Sequence, residues 1–224
     1  MDNLNLTLFI SFAGPLAIAL FVCRGKARTL ILFLLIGMVA CLFCGELNTI
    51  IMNMLPYDQP VFARNFTPLI EEVCKALPIL VYAFLYKPKR RMLLECSVLV
   101  GVGFAVQENA FVLVDMVDTA PLIFMMNRGF VGGIMHTLTT LAVGYGVSFV
   151  NTKRKLFYTG TAALLTTAIV YHSVCNTLMQ SDHQLVCLLL PIVTFFIVLV
   201  LRKKRKRSEK LNKFNHTKEI VEGD

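Results

Sequence analysis

Phe66 to Tyr86 reads FTPLIEEVCKALPILVYAFLY, a stretch long and apolar enough to cross a bilayer, with Glu71, Glu72 and Lys75 set inside it. An ionised side chain in hydrocarbon costs roughly 2.5–3.5 kcal/mol by insertion scales, so three within five residues need partners or a task. Other apolar segments supply candidates: Glu108, His136, His172 and Asn176. The arrangement predicts an intramembrane site assembled from several helices.

The totals place these segments in a membrane. Of the 224 residues, 56% are hydrophobic and 16% charged, too little polar surface to keep a soluble domain of this length dispersed. The fold class is all-α: a polytopic bundle of about seven transmembrane helices at ~20 residues each. The expected spans cover residues 4–22, 29–55, 66–86, 92–114, 128–150, 156–179 and 184–201. Residues 1–201 form one membrane domain, and 202–224 a basic tail expected to be disordered on the cytosolic face. The first apolar run follows Met1-Asp2-Asn3 with no basic segment before it, so it reads as a retained span.

The net charge of +8 does not signal nucleic acid, because nineteen of the 22 Lys and Arg fall in three short loops and the tail. That is charge fixing topology, which puts the N-terminus outside and the C-terminus in the cytosol. Cys41 and Cys44 form a CxxC without a second pair and read as small buried thiols among seven scattered cysteines.

With that orientation the polar groups share a depth. Glu71 to Lys75, Glu108, His136 and His172 each lie about five to nine residues below the outer end of their span, roughly 8–14 Å beneath the surface. Glu71 and Lys75, Phe104 and Glu108, His136 and Thr140, and His172 and Asn176 are spaced i,i+4, so each pair shares a helix face. Glu71 and Glu72 are about 100° apart, and either can face the centre. Glu46 reaches the same depth and can pair with Lys75 or line the cavity, whereas Glu95 lies one turn from Arg91 and reads as structural. Carboxylates to activate water, imidazoles to carry protons and an amide to donate to an oxyanion make a hydrolytic set. No Gly-x-Ser-x-Gly, Ser–Lys pairing or HExxH occurs.

Glu71-Glu72-Val-Cys-Lys75, Gly103-Phe104-Ala-Val-Gln-Glu108-Asn109, His136 in a Gly-rich helix, and His172-Ser-Val-Cys-Asn176 together resemble the PrsW family of glutamic-type intramembrane proteases. That family is distantly related to the CAAX prenyl proteases and the bacteriocin-immunity membrane proteases. CAAX proteases carry His where this chain has Glu108, so their water-activating pair does not transfer whole.

The resemblance implies an endopeptidase of the bacterial cell membrane, cleaving a single-pass membrane protein, characteristically an anti-sigma factor, near its extracytoplasmic side. On this reading Glu71 or Glu72, with Glu108, activates water. His172 and Asn176 stabilise the oxyanion and His136 shuttles a proton, with Lys75, Phe104, Asn109 and Glu46 in support. No cofactor is expected. A zinc metalloprotease is the nearest rival, because three Glu and two His could coordinate the ion. A proton-coupled transporter and a non-catalytic scaffold are the alternatives from other classes. The expected partners are the membrane-anchored substrate and the bilayer, not nucleic acid.

Overall fold

The computed structural model describes residues 3–116, 121–150 and 152–222. It is helical throughout, without strands among the described residues. The helices are α1 (Asn3–Val22), α2 (Gly25–Met54), α3 (Gln59–Asn65), α4 (Thr67–Tyr86), α5 (Arg90–Asp115), α6 (Leu122–Met126), α7 (Gly133–Val147), α8 (Arg154–Met179) and α9 (Gln184–Glu222). A π-helical turn, Asn127–Gly132, joins α6 to α7.

Five helices among the described residues are long and apolar enough to cross a membrane: α2, α5, the α6–π–α7 rod, α8 and the first part of α9. The apolar run of α1, Leu6–Val22, is shorter, and α4 carries three charges. The expected seven spans therefore require α1 and α4 to cross as well. α4 contacts α2, α5, α7 and α8, so it sits among helices that meet the criterion by composition alone.

The sidedness of α4 is inverted relative to a soluble helix. Glu71, Glu72, Lys75, Ala76, Ile79 and Ala83 are buried, while Leu69, Val73, Leu77 and Val81 form an exposed stripe at i+4 spacing. Lipid tails are as apolar as leucine, so this stripe has no reason to turn inward. Close packing and polar contacts hold the inner face instead.

Glycines set how closely the helices approach. A Cβ on Gly37 would collide with the Val100 carbonyl and one on Gly103 with the Leu34 carbonyl, at opposite sides of the α2–α5 interface. A Cβ on Gly101 would lie 2.7 Å from the His136 carbonyl, and one on Gly146 2.7 Å from Thr161 Cα. In the Gly-rich helix that carries His136, Gly144 and Gly146 pack closely against Ser97 and Thr161. Gly129 and Gly133 face open space, and Gly132 has only ordinary contacts.

Two boundaries differ from expectation. The fifth span begins at Leu122 rather than residue 128, because the LIFMM run continues the apolar helix upstream of the π turn. The last helix runs past the expected end of the seventh span at residue 201, with α9 extending to Glu222 through the basic tail. Residues 192–222 contain no Pro or Gly, and nine of them are Lys or Arg, good helix formers.

Replacing Gly103 by Ala should destabilise the α2–α5 packing by about 1–3 kcal/mol, as overpacking does. Gly45→Ala, where a Cβ meets nothing within 4 Å, should be neutral or gain up to about 1 kcal/mol from helix propensity. Thermal midpoints of the detergent-purified variants check the contrast.

Candidate active site

The site is built around the carboxylate of Glu72, which is fully buried. Its Oε1 accepts from Lys75 Nζ at 2.6 Å, from His172 Nδ1 at 2.9 Å and from Thr139 Oγ1 at 3.2 Å. Lys75 stands one turn after Glu72 on α4, His172 comes from α8 and Thr139 from α7, so one oxygen joins three helices. Lys75 also donates to His136 Nδ1 at 2.9 Å, and its ammonium lies 4.7 Å from the centroid of the Phe104 ring.

These partners fix both imidazole tautomers. A lysine in a salt bridge can only donate, so His136 Nδ1 is an acceptor and Nε2 carries the proton. That Nε2 lies 2.6 Å from Glu108 Oε2. An ionised carboxylate can only accept, so His172 Nδ1 is protonated and its Nε2 presents a lone pair. The lone pair faces Glu71 Oε2 across 3.8 Å. Glu71 is buried, and its Oε2 has no hydrogen-bond partner. The two imidazole rings meet edge-on with centroids 5.0 Å apart.

Glu108 is the third carboxylate of the group. Besides His136 it pairs with Arg128, which the π turn presents from the α7 side. Asn109, next on α5, donates to the Gly129 carbonyl at 3.3 Å and so pins the same turn. Turns of this kind cost regular hydrogen bonds and recur at functional sites. Here the turn delivers a guanidinium to a carboxylate inside the bundle.

The structure therefore brings together Glu71, Glu72, Glu108, His136, His172, Lys75 and Phe104, all expected from sequence. Asn176 is placed differently: its Nδ2 donates to the Ala63 carbonyl of α3 at 3.1 Å. It lines a cavity of about 20 Å³ with Arg128, Gly132, Met135 and Cys175, room for about one water. Glu46 is exposed on α2, and Lys75 takes Glu72 and His136 as partners instead of it. Cys41 and Cys44 are buried free thiols, as expected.

Arg128 and Thr139 were not anticipated as site residues. Arg128 had a signal, being a basic residue outside the loops that fix topology. Thr139 lies three residues after His136, on the same helix face. Thr140, which the i,i+4 spacing singled out, donates back to the His136 carbonyl instead.

A family model described as PrsW family intramembrane metalloprotease matches residues 25–201. The chain belongs to the PrsW family. No curated protein and no solved structure matches it. Membership makes the chain a multi-pass membrane protease, a hydrolase, and sets aside the transporter and scaffold readings. In this PrsW member the matched segment contains every residue of the buried cluster.

Lys75→Met would leave the Glu72 carboxylate buried without its cation. Removing one partner of a buried ion pair costs about 3–5 kcal/mol, so the unfolding midpoint of the purified protein should fall well below wild type. Arg28→Gln, at an exposed position, should change it by less than about 0.5 kcal/mol.

Proposed function

We propose that the chain is an intramembrane endopeptidase that hydrolyses a single-pass membrane protein near its extracytoplasmic side. One observation carries the chemistry: a buried carboxylate oxygen without a partner, Glu71 Oε2, lies 3.8 Å from the lone pair of His172 Nε2. A water hydrogen-bonded to both could give up its proton as it attacks the scissile carbonyl. Glu72 and Glu108 also keep a buried oxygen without a hydrogen-bond partner, but the three donors on Glu72 Oε1 suit it to orienting His172, and Glu108 is neutralised by Arg128. Glu71 is therefore the base of choice among the three carboxylates.

Arg128 has an unpartnered Nε and shares its water-sized cavity with Asn176. These two donors are the candidates for stabilising the oxyanion. His136, hydrogen-bonded to Lys75 at Nδ1 and with Nε2 2.6 Å from Glu108 Oε2, is suited to passing a proton toward the leaving amine. The resemblance of the motifs favours an anti-sigma factor as substrate and the bacterial cell membrane as location. The placement of basic loops favours an outward-facing site.

A second reading has its own support. The family's description implies a metal, and the donor set fits one: ligating atoms of Glu71, His136 and His172 lie within 4.8 Å of one another, all buried. Two histidines with one carboxylate is a donor set of catalytic zinc sites. Such an ion would supply Lewis acidity toward the scissile carbonyl. Binding would require His136 to release one of the two contacts its ring nitrogens now make.

Co-expression with single-pass membrane proteins should yield a truncated product whose formation drops by about 10²–10⁴ in Glu71→Gln, the range for loss of a general base. A Glu71→Gln protein that cleaves at the wild-type rate would remove Glu71 from the mechanism. Elemental analysis separates the two readings. Stoichiometric zinc in wild type, lost in His172→Ala, establishes the metal form. Metal-free protein that still cleaves after exhaustive chelation establishes the glutamic form.

A further inference from the structure

The opposite end of the bundle holds a cleft that hydrolysis does not use. It has a volume of about 510 Å³ and lies between the α4–α5 connection and the end of α7, lined by Lys87, Pro88, Arg90, Ser148, Phe149 and Thr152. The basic groups of this end are not equivalent. Glu95 takes Arg91 at 3.0 Å and Lys26 at 2.7 Å, as its i,i+4 spacing from Arg91 foreshadowed. Arg90 turns the other way. Its guanidinium lies 4.5 Å from the Tyr145 ring centroid and 5.0 Å from that of Phe149. Its Nε and Nη2 are shielded from solvent yet have no hydrogen-bond partner.

A planar cation held against two aromatic rings with unused donors is a prepared site for a phosphate or carboxylate. Lys87 strengthens it. It caps α4 in the left-handed region at φ 44°, ψ 51°, a conformation costly for a residue with a Cβ. Pro88 follows, so the chain turns sharply and sets Lys87 beside Arg90 on the cleft. The surrounding surface identifies the source of the anion. The last turn of α4, which ends at Lys87 on the rim of the cleft, exposes Phe84, Leu85 and Tyr86, at 52%, 71% and 72%. A free anion gains nothing from that adjoining apolar surface, whereas acyl chains do.

We propose that this cleft binds the phosphate of an anionic phospholipid, with Arg90 and Lys87 on the headgroup and the acyl chains along the end of α4. The position is that of a basic pocket between transmembrane helices at the end where positive loops gather. One headgroup there would tie the connection after α4 to the end of α7. Those two helices carry Glu71, Glu72 and Lys75 on one side and His136 and Thr139 on the other. Bound lipid would thus hold the two halves of the buried cluster in register from the far end of the bundle.

The full-length protein, purified in a non-ionic detergent, is titrated separately with phosphatidylglycerol, phosphatidylcholine and inorganic phosphate. Retained lipid is counted by native mass spectrometry and the thermal midpoint is followed. Phosphatidylglycerol should be retained and raise the midpoint, while phosphatidylcholine and inorganic phosphate should do neither. Arg90→Gln should weaken retention by about tenfold or more, the worth of a charge-assisted hydrogen bond. Arg24→Gln, a basic position that does not line the cleft, should match wild type. Should Arg90→Gln fail to fold, Lys87→Gln at an exposed position gives the same reading with a smaller loss. Retention unchanged in the cleft variants, or reduced equally by Arg24→Gln, overturns the site. A midpoint shift by inorganic phosphate equal to that by phosphatidylglycerol overturns the lipid.

Discussion

The bundle depends on the burial of the Glu72 carboxylate. A charge in a low-dielectric interior is tolerated only when opposite charge and hydrogen-bond donors surround it. Here Lys75, His172 and Thr139 converge on a single oxygen. Because the donors come from α4, α8 and α7, satisfying the charge fixes the relative height and rotation of those helices. The α2–α5 pair supplies the wall behind them: Gly37 and Gly103 let the two backbones touch. That contact brings Phe104 beneath the Lys75 ammonium and beside His136. Polar satisfaction and glycine packing thus act on the same geometry from two sides.

Three carboxylates share this interior, and their neighbours separate their roles. Each keeps one buried oxygen without a hydrogen-bond partner. Glu72, however, takes three donors on its other oxygen and Glu108 faces a guanidinium and an imidazole, whereas Glu71 Oε2 faces the neutral His172 Nε2 at 3.8 Å. Hydrolysis needs that inequality. A carboxylate engaged by several donors is a poor base but a good orienter, and a buried carboxylate without a partner is the reverse. The tautomers complete the separation, because the proton on His172 Nδ1 obliges the other nitrogen to present its lone pair toward Glu71.

The two ends of the bundle are linked by the helices they share. α4 runs from the acidic pair to the strained Lys87, and the α6–π–α7 rod runs from Arg128 to the aromatic pair that holds Arg90. A displacement of either helix along its axis would therefore be felt at both ends. The π turn is the irregular point in this frame, held by Asn109 on one side and by the Arg128–Glu108 pair on the other.

Sequence alone determined that the chain is a helical membrane bundle, because apolar runs of this length admit few other folds in a bilayer. It also determined that the ionisable groups of four helices lie at one level, since rise per residue converts position into depth. The motifs in α4, α5, α7 and α8 carried the family. What tertiary structure alone decided was the rotation of each helix and the choice among competing partners. That is why Asn176 bonds to α3 rather than joining the carboxylates, why Glu46 remains exposed, and why Arg128 and Thr139 enter a site their spacing barely marked. Periodicity assigns a residue to a face of its own helix, but which neighbour that face meets depends on glycine contacts and buried charges far apart in the chain.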